Sequence, residues 1–237
     1  MCLFYIDNMI SKVLSVALLA AAVAFPQDDL MTSKAVKKDF ALTADPAKGP
    51  WKGVKGVTTA HDRWGKPMKG SNAEIRSVWT PTNLYFLFIS RFETQHLKEN
   101  PSATEETWGL WDYDVVEVFI GHDLENINVY KEFEISPQSE WVDLDVDKTK
   151  KQMVDWKWNS NMKFSNRVDQ ANKIWYCEMQ IPWKAIAVKP AAADQLFRLN
   201  LYRIEGKGEG RKFLAWRPVN APSYHTPERF GKLRLIQ

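Results

Sequence analysis

Hydrophobic and polar positions alternate in short runs along most of the chain, with turn residues between the runs. Ile75 to Thr80 and Leu84 to Arg91 flank Pro81-Thr82-Asn83 and predict a hairpin. Asp114 to Ile120 (DVVEVFI) is rich in β-branched residues and predicts a strand. Tyr130 to Ser136 sets Phe133 and Ile135 against Glu132 and Glu134, and Trp141 to Val146 sets apolar positions against Asp143 and Asp145. Taken alone, these acids read as solvated sheet faces. Lys173 to Ile181 places Trp175, Cys177, Met179 and Ile181 on one side. A short helix is expected over Pro182 to Ala187, then strands at Leu196 to Ile204, Lys212 to Trp216 and Phe230 to Ile236. Eight or more short strands, with no repeat and no long amphipathic helix, predict an all-β fold: a two-sheet antiparallel β-sandwich of the jelly-roll-like kind with short helical connections. The domain is expected to occupy residues 35–237.

The N-terminal part has a different texture. Val13 to Phe25 (VLSVALLAAAVAF) is apolar without interruption, follows Lys12 and is too short for a membrane-spanning helix. It matches the apolar region of a secretory signal, with Ala22-Val23-Ala24 as the cleavage site. Residues 1–24 are therefore expected to be a signal peptide and 25–34 a flexible lead-in. Met9 is a better start than Met1, because Asp7 does not suit a basic leader. The expected location is outside the cytoplasm, periplasmic or extracellular.

Composition narrows the functions. The net charge of +3 is spread along the chain, with no basic block to follow a phosphate backbone, so nucleic acid is not an expected partner. Cys2 lies in the leader, which leaves Cys177 as a lone thiol expected in the core. His61, His96, His122 and His225 are scattered without zinc spacing, and no CxxCH, G-x-S-x-G or EF-hand pattern occurs. The glycines of 206–210 are followed by no helix pattern and read as a hairpin loop. Carboxylates and carbonyls near 105–114 and 121–128 leave a structural calcium ion open, and no other cofactor is required. Asp112, Asp114 and Glu117 form the most prominent acidic cluster, although a glycosidase needs two acids facing each other across a cleft. Eleven tryptophans are the strongest compositional signal. Most will pack in the core, but an exposed indole can also stack on the C–H face of a pyranose.

Trp111-Asp-Tyr-Asp-Val-Val-Glu117-Val-Phe-Ile resembles a motif of the family 9 carbohydrate-binding modules, within the DOMON-like β-sandwich group. The resemblance continues in family order through Val78-Trp79 with Asn83-Leu84-Tyr85, Tyr130 to Pro137, Trp175 to Trp183, Leu199-Asn200-Leu201-x-Arg203, and Trp216-Arg-Pro with Phe230-Gly. It implies a sugar held between two aromatic side chains at the end of the sandwich, here Trp111 and Tyr224, with Glu117 accepting hydroxyls. Tyr224 stands where the family pattern has Trp. The region that can carry a sugar-binding Arg offers Glu134, and Tyr202 follows the Leu199-Asn200-Leu201 strand, so both are expected lining residues. The implied function is an exported, non-catalytic protein that binds oligo- or polysaccharide during polysaccharide breakdown, acting alone or with a separate glycoside hydrolase. A haem-binding electron-transfer domain of the same sandwich group and an O-glycosyl hydrolase remain the alternatives.

Overall fold

The Pro81-Thr82-Asn83 turn closes as predicted: the Thr80 amide donates to the Asn83 carbonyl at 2.9 Å, and the flanking strands run antiparallel from that point. The computed structural model describes residues 29–187 and 189–237. The expected signal peptide and the first residues of the lead-in lie outside the described residues. Thirteen strands are present among the described residues. They are β1 (Leu30–Ala35), β2 (Val57–Thr58), β3 (Ala73–Trp79), β4 (Asn83–Arg91), β5 (Val115–Gly121), β6 (Val129–Ile135) and β7 (Trp141–Asp147). The remainder are β8 (Val154–Asp155), β9 (Lys163–Asp169), β10 (Ile174–Pro182), β11 (Leu196–Glu205), β12 (Lys212–Ala215) and β13 (Gly231–Ile236), with one helical turn, α1 (Trp183–Ile186), after β10. No helix among the described residues is long and apolar enough to cross a membrane.

The strands form a β-sandwich in which hydrogen bonding runs without a break from one layer into the other. The order is β8-β7-β6-β5-β11-β13-β1-β3-β4-β10-β9, with β12 on β11 and β2 on β3. The two layers are thus one curled sheet. Every pairing is antiparallel except those of β1, which lies parallel to both β13 and β3. The expected lead-in therefore contains an internal strand up to its last residues. Its sequence, LMTSKA, hides this because one of its buried positions is Ser33, whose hydroxyl accepts a hydrogen bond from Ser77 at 2.9 Å. Besides the two-residue strands β2 and β8, the other strand absent from the sequence reading is β9. It is a sheet edge, paired only with β10, and its polar KFSNRVD sequence carries little apolar signal.

Period-two alternation explains the core. Val116, Val118, Ile120, Phe133 and Ile135 of one layer meet Ile75, Phe86, Phe88 and Met179 of the other, all buried. Trp175, Cys177, Met179 and Ile181 share this inner face as expected, and Cys177 is a buried free thiol. Both outer faces are covered as well. On the β3-β4-β10 layer, Val78, Tyr85 and Leu87 are buried under the segment that follows β1, which contributes Trp51 to the same cluster. There Glu178 accepts the amides of Thr43 at 2.6 Å and Ala44 at 2.7 Å and the indole N–H of Trp51 at 2.8 Å. The outer face of the β7-β6-β5-β11 layer carries the candidate site.

Candidate functional site

Strand register decides which polar side chains meet. Glu117 on β5 lies opposite Glu134 on β6 and Tyr202 on β11, and Phe119 lies opposite Glu132 and Asn200. All six point to the outer face of that layer, two residues apart on each strand. Loops from 105–113, from the β7–β8 region and from 211–225 fold over this face, so Glu132 and Glu134 are buried. The solvated sheet face expected for them is replaced by a covered one, because covering loops, not the strand's own alternation, decide whether an outer face meets water. Between loops and sheet remains an open pocket of about 530 Å³.

Three of the five predicted residues line it: Trp111, Glu117 and Tyr224. Trp111 sits on a 3-10 turn, Leu110–Asp112, that follows Gly109 at φ 80°, a left-handed conformation natural to glycine. The Arg211 guanidinium donates to the Trp111 carbonyl and fixes the turn from the other side of the pocket. Tyr224 is parallel to Phe213, with centroids 5.6 Å apart, and the Arg63 guanidinium lies 4.5 Å from its ring centre. Arg63 is also 5.8 Å from the Phe213 ring, too close for the two to occupy opposite faces of Tyr224. One face of the phenol is thus clear of both.

The other two predicted residues lie beneath the pocket. Tyr202 is buried; its hydroxyl donates to the Tyr224 carbonyl at 3.2 Å and accepts the Asn200 amide at 2.8 Å. It therefore positions Tyr224 and is not open to a ligand. Glu134 is completely buried, with neither carboxyl oxygen partnered by a donor. Burial first, then the neighbouring Glu117 and Glu132, push it well above the carboxylate range, which favours its protonated form.

Glu132 was visible in the alternation, but its place in the site was not. It lines the pocket with its Oε2 unpartnered, and burial pushes it up to about 7, against the downward pull of the Glu134 hydrogen bond. Glu117 is also raised, by burial and by Glu132, with Arg211 opposing. His225 lies 3.9 Å from Glu132, yet it is no counter-ion. Burial, assisted by Lys148, lowers its pKa to about 4, and its Nδ1 is 2.7 Å from the Tyr130 hydroxyl. The floor is thus a set of neighbouring carboxyls that demands donors. Arg63, Arg211 and His225 had no sequence signal, because loops distant in the chain deliver them. Trp108, three residues before Trp111, was one tryptophan among many.

Two features bear on chemistry. The carboxyls that line the pocket, Glu117 and Glu132, stand on the same floor and not on opposed walls. Asp114 of the acidic cluster is withdrawn into the core, where it accepts from Arg203 at 3.2 Å and from the Gly206 amide at 2.7 Å. Among the described residues, no group of three or more His, Cys, Asp or Glu side chains is arranged to hold a metal ion. The aromatic walls lie over a sheet face, whereas the family resemblance implied the end of the sandwich.

Comparison with known proteins places these features in context. The family model "carbohydrate family 9 binding domain-like" matches residues 47–237. Endo-1,4-beta-xylanase A of Thermotoga neapolitana is 22% identical over 187 residues, which cover 79% of this chain and only 16% of the enzyme. A proposed carbohydrate-binding protein from Bacteroides uniformis superposes with a TM-score of 0.67 at 14% identity, covering 87% of this chain and 99% of that one. A family 9 module from Caldicellulosiruptor kristjanssonii in complex with glucose gives a TM-score of 0.58 at 12% identity, covering 86% and 95%. These two structural likenesses concern the fold.

Proposed function

The chain belongs to the carbohydrate family 9 binding domain-like family, and from that premise we propose that it is a non-catalytic saccharide-binding module whose ligand enters the pocket between Trp111 and Tyr224. The observation that carries this reading is the convergence of Trp111 and Glu117 with Tyr224, more than a hundred residues later in the chain, on one open cavity. A pyranose offers C–H faces to aromatic walls and hydroxyl donors to a floor that lacks them. Glu117 and Glu132 accept those hydroxyls through their carboxyl oxygens, which act as acceptors whether or not the group is ionised. Glu134 and Tyr202 act from below, Glu134 on the protonation of Glu132 and Tyr202 on the placement of Tyr224.

The arrangement does not favour glycoside hydrolysis, which needs two acids flanking the scissile bond. Nor does it favour haem: among the pocket-lining residues, His225 is the one His or Met, and its Nδ1 is already engaged by Tyr130. The xylanase likeness supports a role in polysaccharide breakdown beside a separate hydrolase, and the apolar run at 13–25 supports export. Titration calorimetry with xylo- and cello-oligosaccharides tests the binding reading. Trp111→Ala should weaken binding about tenfold or more, equivalent to about 1.4 kcal/mol. Unchanged affinity would remove the proposed wall.

A further inference from the structure

Three tryptophans among the described residues expose more than a third of their surface, and two of these adjoin the pocket: Trp108 at 51% and Trp156 at 40%. Exposed indoles grouped in this way are unusual on a folded domain and mark a contact surface. Trp108 lines the pocket, meets Trp111 edge-on at 4.8 Å and approaches Trp156 at 5.7 Å with the rings inclined by 47°. The three indoles make a continuous aromatic strip that leads from the pocket outward.

The turns that present them are fixed without ligand. Beside Trp108, the Thr107 amide donates to the Trp141 carbonyl at 2.9 Å, and Gly109 on the other side is left-handed. Next to Trp156, the Asp155 carboxylate accepts the Lys157 amide at 3.0 Å, immediately after β8 pairs with β7. Neither ring has to be ordered from a loose loop when a ligand arrives, which lowers the entropic cost of stacking.

Building on the saccharide reading of the pocket, we propose that Trp108 and Trp156 form a second stacking subsite, which holds the next sugar unit of an oligosaccharide whose terminal unit occupies the pocket. The occupant is a saccharide because the strip is continuous with the pocket and apolar, and a pyranose C–H face complements it. Trp108 belongs to both subsites, whereas Trp156 belongs to the outer one.

Calorimetry with glucose against cellotriose, and xylose against xylotriose, on the full chain and on W156A separates the subsites. The parent chain should bind one trisaccharide roughly tenfold more tightly than its monosaccharide, the gain of one stacking contact. W156A, which changes an exposed side chain, should lose that advantage and keep monosaccharide affinity. Equal affinity for the mono- and trisaccharide, or an advantage retained in W156A, overturns the subsite while the pocket reading stands. Binding of no probe by the parent chain overturns both. A change of sedimentation in W156A with the trisaccharide advantage intact would make the strip a contact between copies of the chain, and also overturns it.

Discussion

Glu132 and Glu134 show how the same residue type takes two states two positions apart. Both sit beneath the loops, but Glu134 is sealed with neither oxygen partnered, whereas Glu132 lines the pocket with one buried oxygen unpartnered. Burial has moved Glu132 up to about 7, above the value near 4.3 of an unfolded chain. A group raised in this way favours the folded state fully below the unfolded value, and that contribution is lost as pH rises through about 7. Thermal stability is therefore expected to fall between pH 5 and pH 8, with Glu106, also raised to about 7 by burial and by Asp143, adding to the decline and His225, lowered to about 4, offsetting part of it below about pH 6.5. In Glu132→Gln the decline should be shallower by on the order of 2 kcal/mol over that range, read from melting curves at each pH. Parallel profiles for parent and variant would show that Glu132 titrates in the ordinary carboxyl range. None of this was legible in the residue itself. The alternation around Phe133 and Ile135 reads the same whether the opposite face meets water or a covering loop.

At the level of the elements, legibility followed apolar content. The strands β5, β10 and β11 were apparent because inward apolar residues recur at every second position. Gly231 at the start of β13 lies so close beneath the Trp216 indole that a Cβ there would come within 2.7 Å of the ring, which gives the Phe230-Gly pair a packing reason. The segment over the outer face of β3-β4-β10 was not legible, since it is irregular and held by polar contacts distant in sequence, Asp39 accepting from Thr80, Thr82, Asn83 and Tyr85 and Glu178 accepting from the segment's own N–H groups. Removing the second acceptor in Glu178→Ala leaves two amides and an indole N–H without their buried partner, at about 1–3 kcal/mol for each group not rescued by water. A loss of at least about 2 kcal/mol is expected from urea unfolding, together with a red-shifted contribution from Trp51 if the cover lifts. Unchanged stability would mean that the apolar contacts of Trp51 and Phe40 hold the segment without Glu178.

In the whole molecule, β1 has the most consequence for its length. It fills the gap between β13 and β3, so six residues complete the passage from one layer to the other. A chain shortened to begin at Val36 would expose two unpaired strand edges and remove Met31 from the core. It should unfold at lower urea and self-associate, as measured by equilibrium unfolding and sedimentation. A shortened chain that is monomeric with an unchanged midpoint would show that β13 and β3 close on each other. The amino-acid sequence by itself determined the β character, the inward faces of most strands and the family motifs that single out Trp111, Glu117 and Tyr224, because these depend on neighbours one or two residues apart. Tertiary structure alone decided that β1 is internal, that the acids of β6 are buried, and that Arg63, Arg211 and His225 join the pocket. Those outcomes depend on which distant loop lies over which sheet face, and a local pattern of apolar and polar residues carries no record of that.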